Sequence, residues 1–413
     1  MREVARRTTF WLLWTVVFTL PWQGSIAIPG LGTATRVVGL LAAAVGISTW
    51  ALHGRARRWL DVHLILAALT GWAVLSLLWT ADAELTTRHL ATMLQLLLLL
   101  LLLWDFAEQR PDLTRLRWAW VLGGYLGSMG LITTSMAEGG ERAAAFGFDA
   151  NDLGTILALG IPIAWQLRSH HAGDPIPRLV ATSYLPVGGF AVLLTGSRGA
   201  LLVLIVSALV VVTPPPRTHR HGRVSAVVAL LAIGALATLA VPQATLQRLA
   251  TIPTELRDGD LNDRTPMWHA ALEVLDERPV TGSGAGTSEL ETGERTGAEL
   301  GVHNTYLSLG LQLGAVGAGL FLLALLGTEL HRRRGAPTGR AADGVLLLAL
   351  VVAMFPLHWE QQKAVWIVLA LVLAGATEHR GAPLAASRPP HLTSSSPTPT
   401  ALRAHHTSRN LHE

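Results

Sequence analysis

Apolar runs recur along the chain from end to end, separated by shorter polar stretches. A helix that crosses hydrocarbon needs roughly 20 mainly apolar residues. Twelve runs approach that length: about 10–28, 31–52, 62–79, 89–107, 119–137, 153–168, 179–195, 198–213, 224–241, 305–327, 344–358 and 364–378. Several are short, so tilted, broken or re-entrant helices are expected among them. The pattern predicts an all-α polytopic membrane protein with about twelve transmembrane helices.

One polar segment is long, about 242–304. Within it Thr265 is placed to cap a helix and Pro266 suits a first helical position. Trp268, Ala271, Leu272 and Leu275 then share one face, and Arg278-Pro279 ends the helix. The run Thr281-Gly282-Ser283-Gly284-Ala285-Gly286-Thr287 reads as a loop. It follows no strand and holds no Lys, so a nucleotide-phosphate loop is rejected. The segment 380–413 is rich in Ser, Thr, Pro and His without apolar periodicity and is expected to be a disordered cytoplasmic tail. Residues 1–379 then form the transmembrane domain.

Composition strengthens this picture. Of 413 residues, 50% are hydrophobic and only 15% charged, against about 25% charged in soluble domains. There is no cysteine, which removes disulfides, thiolate metal sites and cysteine nucleophiles together. The basic residues are 31 Arg and Lys363, and the net charge is +4. A pI near 10.2 raises nucleic acid as a partner, but the arginines are not gathered on a soluble face.

They are instead distributed by side. With the N-terminus inside, 22 of the 32 basic residues fall in inner segments, among them Arg55, Arg57, Arg58, Arg332, Arg333 and Arg334. Inner segments carry the excess of Lys and Arg, so both termini are expected in the cytoplasm and 242–304 outside. The N-terminus resembles a signal peptide, with Arg2, Arg6 and Arg7 before an apolar stretch. No small-x-small site follows, so it reads as a retained first helix.

Ten basic residues resist the trend: Arg36, Arg88, Arg142, Arg198, Arg248, Arg257, Arg264, Arg278, Arg295 and Lys363. Most are accounted for as solvated or headgroup-facing side chains, and Arg36, within the second run, by snorkelling or a buried pair. Arg88, Arg198, Arg264 and His303 fall at or near expected helix starts on the outer side. Helix N-termini present free N–H groups and partial positive charge. Adding arginine there creates an anion site, and a diphosphate fits it. The plainer alternatives are a tight turn for Thr195-Gly196-Ser197-Arg198-Gly199 and a hydrogen-bonded structural role for His303. A serine-hydrolase elbow fails at Thr195 and lacks the strand–turn–helix context. No HExxH motif or close pair of outer histidines occurs, so no metal is expected. Of Glu138, Glu141, Asp149 and Asp152, the run Asp149-Ala150-Asn151-Asp152 is expected to cap the sixth helix.

These residues resemble a family. His303-Asn304, nine residues, Gly314, two residues and Gly317 match the H-[NSQ]-x9-G-x-x-[GTY] pattern of the O-antigen ligases. Arg198 with Leu202 matches their R-x3-L pattern. Arg264 through Trp268 to Gly282-Ser283-Gly284 resembles the large periplasmic loop of the wider ligase and polymerase superfamily, and Phe146–Asn151 its short loop before a span. The resemblance covers roughly residues 60–375.

It implies a GT-C-like glycosyltransferase with one large periplasmic loop. The donor would be a glycan on undecaprenyl diphosphate and the acceptor lipid A-core, joined at the periplasmic face of the inner membrane during lipopolysaccharide biosynthesis. It assigns the essential roles to Arg198, Arg264 and His303; Arg88 is added from its helix-start position. The chemistry is consistent with this. The donor already carries its leaving group, so neither nucleotide nor cofactor is needed. Arginines stabilise charge moving onto the diphosphate, a histidine takes the acceptor proton, and direct attack inverts the anomeric centre. The alternatives are a surface-polysaccharide polymerase, an oligosaccharyltransferase to protein, or a non-enzymatic flippase or transporter. A transporter would show polar groups at mid-span, and here only Arg36 is conspicuous within a run.

Overall fold

In lipid a backbone must satisfy its own N–H and C=O groups, and a helix does this within one segment. The apolar runs accordingly fold as helices. The computed structural model describes residues 2–30, 32–54, 56–138, 142–212, 228, 231, 234–235, 241–250, 264–298, 301–335 and 339–377. The expected tail 380–413, the loop 214–223 and most of the ninth run, 224–241, lie outside them.

The described helices are α1 (Arg2–Thr19), α2 (Ala34–His53), α3 (Asp61–Leu75), α4 (Ala83–Phe106), α5 (Arg110–Glu138), α6 (Ala150–His170) and α7 (Pro175–Leu194). They continue as α8 (Arg198–Val212), α9 (Gln243–Ala250), α10 (Arg264–Glu277), α11 (Ser288–Thr296), α12 (Thr305–Arg334), α13 (Arg340–Ala353) and α14 (Lys363–Thr377). The other eleven expected runs each overlap one of these, but the first, 10–28, runs on past Thr19 into a turn and the ribbon, and the eleventh, 344–358, ends in the loop after Ala353. A two-residue ribbon pairs Ala27–Ile28 with Gly32–Thr33 between α1 and α2. Five segments are long and apolar enough to cross a membrane: Ala34–His53, Asp61–Leu78, Ala83–Phe106, Pro175–Leu194 and Thr305–Arg334. Large apolar side chains such as Leu94, Ile205, Leu322 and Leu348 are exposed on their helices, as lipid-facing positions require.

The core runs through α6 and α14, whose residues are buried almost all round. Between α5, α6 and α7 the Tyr184 ring fills a notch left by Gly124 and Gly160, where an added Cβ would meet it at 2.5 and 2.4 Å. Its hydroxyl donates to the Leu157 carbonyl at 3.1 Å. Glycine there lets the helices close on an aromatic ring.

The tenth run, α12, is broken. Gly314 has φ 64°, ψ −167°, outside helical geometry, and only glycine takes that conformation without strain. A break exposes carbonyls that must be paired. Ser283 N–H donates to Leu311 O at 2.9 Å and Gly284 N–H to Gln312 O at 2.8 Å. Trp72 Nε1 donates to Leu313 O at 2.9 Å, and Ala315 N–H finds Pro279 O at 2.8 Å. The Gly-rich run is thus a loop, and its work is to fill the gap in α12. A Cβ on Gly282 would fall 2.5 Å from the Gln312 carbonyl.

The loop helix differs in detail from expectation. It begins at Arg264, so Thr265 and Pro266 lie inside its first turn. Its buried residues are Met267, Ala270, Ala271 and Val274, while Leu272 is exposed. Ala271 and Val274 pack on Val302 and Leu311, with Trp268 beside them. That contact with the first part of α12 rotates the face away from Leu272.

Candidate active site

Four helix starts meet at one end of the bundle. At α8, Gly196 turns with φ 57°, and Ser197 Oγ accepts from Ala200 N–H at 3.1 Å. The turn delivers Arg198 as the first helical residue, half-buried. At α6, Asp149 caps the helix as expected, accepting from Asn151 N–H at 2.7 Å. The preceding loop is fixed by Phe146, a non-glycine at φ 58°. Its ring occupies the place of a side chain at Gly130 of α5. Arg142, at the start of that loop, donates to Asn151 Oδ1 at 3.2 Å and lies 3.9 Å from Asp149.

Asn304 caps α12, its Oδ1 accepting from Tyr306 and Leu307 N–H at 3.1 Å each. His303 is therefore the residue before the cap, held in left-handed backbone at φ 45°. A non-glycine in that region signals a position fixed by its surroundings. Trp268 of α10 holds the same turn, donating to Val302 O at 2.9 Å.

The electrostatic neighbours of these groups show that they converge. Burial holds Arg264 below the usual guanidinium range; Asp149 opposes that shift, while Arg142 and Arg198 add to it. Burial also pushes the His303 imidazole below its ordinary value, and the charges of Arg264 and His358 act in the same direction, against Asp149 and Glu289. Arg198, Arg264 and His303 thus belong to one cluster, together with Arg142 and Asp149. The charges of Arg142, Arg198 and Asp149 all act on Arg264, which stands beside a histidine held below its ordinary value.

Arg88 is placed differently. It pairs with Glu84 one turn earlier on α4, and both side chains are about three-quarters exposed. The charges that act on Arg264 and His303 do not include it.

A further group lies beside His303 without a sequence signal. In the loop between α13 and α14, His358 Nε2 meets Glu360 Oε1 at 2.5 Å. Ser308 Oγ donates to the same oxygen at 3.0 Å, and Gln312 Nε2 at 2.9 Å. Burial opposes charge on His358, but Glu360 outweighs it and the imidazole is raised. Glu360 is buried, and its Oε2 has no hydrogen-bond partner among the described residues. The loop is bound to the start of α12: Trp359 N–H donates to Thr305 Oγ1 at 2.8 Å, and Thr305 N–H to Met354 O at 2.9 Å. It also reaches α6 through Trp359 Nε1 and Asp152 Oδ1, 2.8 Å apart.

Taken together, the molecule is a multi-pass helical membrane protein in which the charges of Arg142, Asp149 and Arg198 act on Arg264, and that of Arg264 on His303, at one end of the bundle. Residues 184–322 match the family model described as O-antigen ligase. No curated protein matches the chain. The matched segment contains Arg198, Arg264, His303 and Gly314. It does not reach Arg142 or the His358–Glu360 pair. The match supports an enzyme of ligase or polymerase type acting on glycan-linked lipid.

Proposed function

We propose that this chain is an O-antigen ligase, transferring a glycan from undecaprenyl diphosphate to lipid A-core at the periplasmic face of the inner membrane. The observation that supports it is the convergence of Arg198 and Arg264, from separate helix starts, on His303. Arg198 and Arg264 take the donor diphosphate. The acceptor hydroxyl oxygen attacks the anomeric carbon from the opposite face as its proton passes to His303. The bond from that carbon to the diphosphate oxygen breaks, and the diphosphate leaves with the electron pair. The configuration inverts. Neutral imidazole is the form that can accept the proton, and burial beside Arg264 favours it. The arginines stabilise the charge developing on the leaving group, so the step requires neither metal nor cofactor. For Arg88 to join the diphosphate site, its pair with Glu84 must open.

Purified protein supplied with preassembled lipid-linked polymer and lipid A-core is the direct test. Lipopolysaccharide should form, and His303→Ala should abolish it while donor binding survives. If single repeats grow into longer lipid-linked chains and lipid A-core is never modified, the protein is a polymerase.

A further inference from the structure

Two cations at this end take no part in the cluster around His303. Arg36 in the first turn of α2 and Lys363 at the start of α14 both line a cleft of about 250 Å³ between α1, α2, α4 and α14. The rest of the lining is mostly apolar, including Leu13, Leu40, Leu99 and Leu102. Arg36 lies close enough to Lys363 for their charges to oppose each other. Among the described residues neither is paired with a carboxylate. Lys363 Nζ has the Gln23 side-chain oxygen at 2.7 Å, a neutral partner that leaves its charge uncompensated. Two repelling cations beside an apolar cleft in a membrane protein are disfavoured unless an anion joins them. An anion attached to a hydrocarbon chain satisfies both halves of the site.

We infer that this cleft seats the lipid acceptor, with a phosphate between Arg36 and Lys363 and an acyl chain along α2 and α4. The assignment to the acceptor rests on the proposed transfer, which brings together two lipid substrates. The donor diphosphate is already provided for by Arg198 and Arg264, on separate helices. The cleft approaches the site from another side. Gln361 lines it and donates to His89 O at 3.3 Å, and Gln361 follows Glu360, whose partner His358 acts on His303. An acceptor seated there would therefore lie across the 354–362 loop from the proposed base.

The test is binding without turnover. Delipidated wild-type protein in detergent is titrated with lipid A, undecaprenyl phosphate, diacylglycerol and inorganic phosphate, with native mass spectrometry as the readout. The Arg36→Gln/Lys363→Gln double variant should bind lipid A about tenfold or more weakly, since each basic side chain contributes to holding an anionic headgroup, and undecaprenyl phosphate as before. Arg36→Lys, which keeps the charge, should retain binding. Ala43→Trp, which fills the cleft, should lose it with both cations in place. Unchanged lipid A binding in the double variant would overturn the inference. So would a loss confined to undecaprenyl phosphate, or equal competition by inorganic phosphate. Failure of the ligase reading would show separately, as wild-type protein that binds lipid A but never glycosylates it.

Discussion

At the end of the bundle that carries Arg57, Arg117 and Arg332, each arginine is held by partners within the fold. Arg117 lies 3.3 Å from Asp343 with both side chains buried, and Gln166 donates to the same carboxylate at 2.6 Å. Arg332 is bidentate on Glu329 at 2.6 and 2.7 Å. Arg57 covers the Trp104 ring at 3.6 Å and reaches Thr377 at 2.6 Å, its backbone N–H on Asp105. At the other end, Arg142 lies 3.9 Å from Asp149, and the charges of Arg142, Arg198 and Asp149 act on Arg264. Arginines that fasten helices are engaged within the fold. Under the proposed transfer, arginines gathered beside a histidine are suited to a ligand that brings its own negative charge.

The contrast yields predictions of decreasing size. The ends should lie on opposite sides of the membrane. With no native cysteine, an impermeant thiol reagent added outside should label a cysteine at Glu289 and leave one at Arg334 unlabelled; labelling at Arg334 would reverse the orientation. Next, Arg198→Ala and Arg264→Ala should each lower transfer about 10²-fold or more, as loss of a transition-state donor does, with unchanged thermal stability. Lysine should rescue poorly if the contacts are bidentate. Near-normal rates in both alanine variants would remove the distinction between the ends.

Arg117→Ala should do the reverse. Removing the cation beside the buried Asp343 should cost about 3 kcal/mol of stability, read by thermal unfolding in detergent, while turnover per folded molecule is kept. Smaller effects lie in pH. If His303 is the base, activity falls as pH drops through its folded pKa, which lies below the ordinary 6.5. Arg264→Gln should move that acid limb upward in the residual activity, and Glu289→Gln should move it further down. Least of all is the His358–Glu360 pair. His358 is raised, so its stabilisation is complete below the unfolded pKa of about 6.5 and is lost as pH rises through the folded value. The melting temperature of wild type should fall over that interval more than that of Glu360→Gln.

What the sequence made legible was local. Apolar runs marked helices, Asp149 and Asn304 marked their caps, and arginine against the charge bias pointed to Arg198 and Arg264, which the fold brings together with His303. The same reasoning chose Arg88, because a helix start does not reveal which face a residue occupies or that Glu84 stands one turn away. Arg142 was set among solvated exceptions, since nothing local ties it to Arg264 across more than a hundred residues. His358 and Glu360 carry no motif; their partners Ser308 and Gln312 lie about fifty residues earlier. Leu272 was misassigned because a face deduced from spacing alone does not say where the partner helix crosses.

The interruption at Gly314 has a mechanical consequence. A helix as long as α12 has two jobs that conflict if it is one rigid rod. In the proposed transfer its lower part would follow the thickness of the bilayer by tilting, while its upper end would hold an imidazole to within a fraction of an ångström of a reacting oxygen. In an unbroken rod, a few degrees of tilt at the bottom would swing the top by more than that tolerance. Here the carbonyls of Leu311, Gln312 and Leu313, before the joint, are fastened to residues 283 and 284 and to Trp72 rather than to the next turn. The upper segment is thereby anchored to the loop and to α3, and tilt below is taken up at the joint. Under the proposed transfer, the position of His303 is then expected to be insensitive to bilayer thickness.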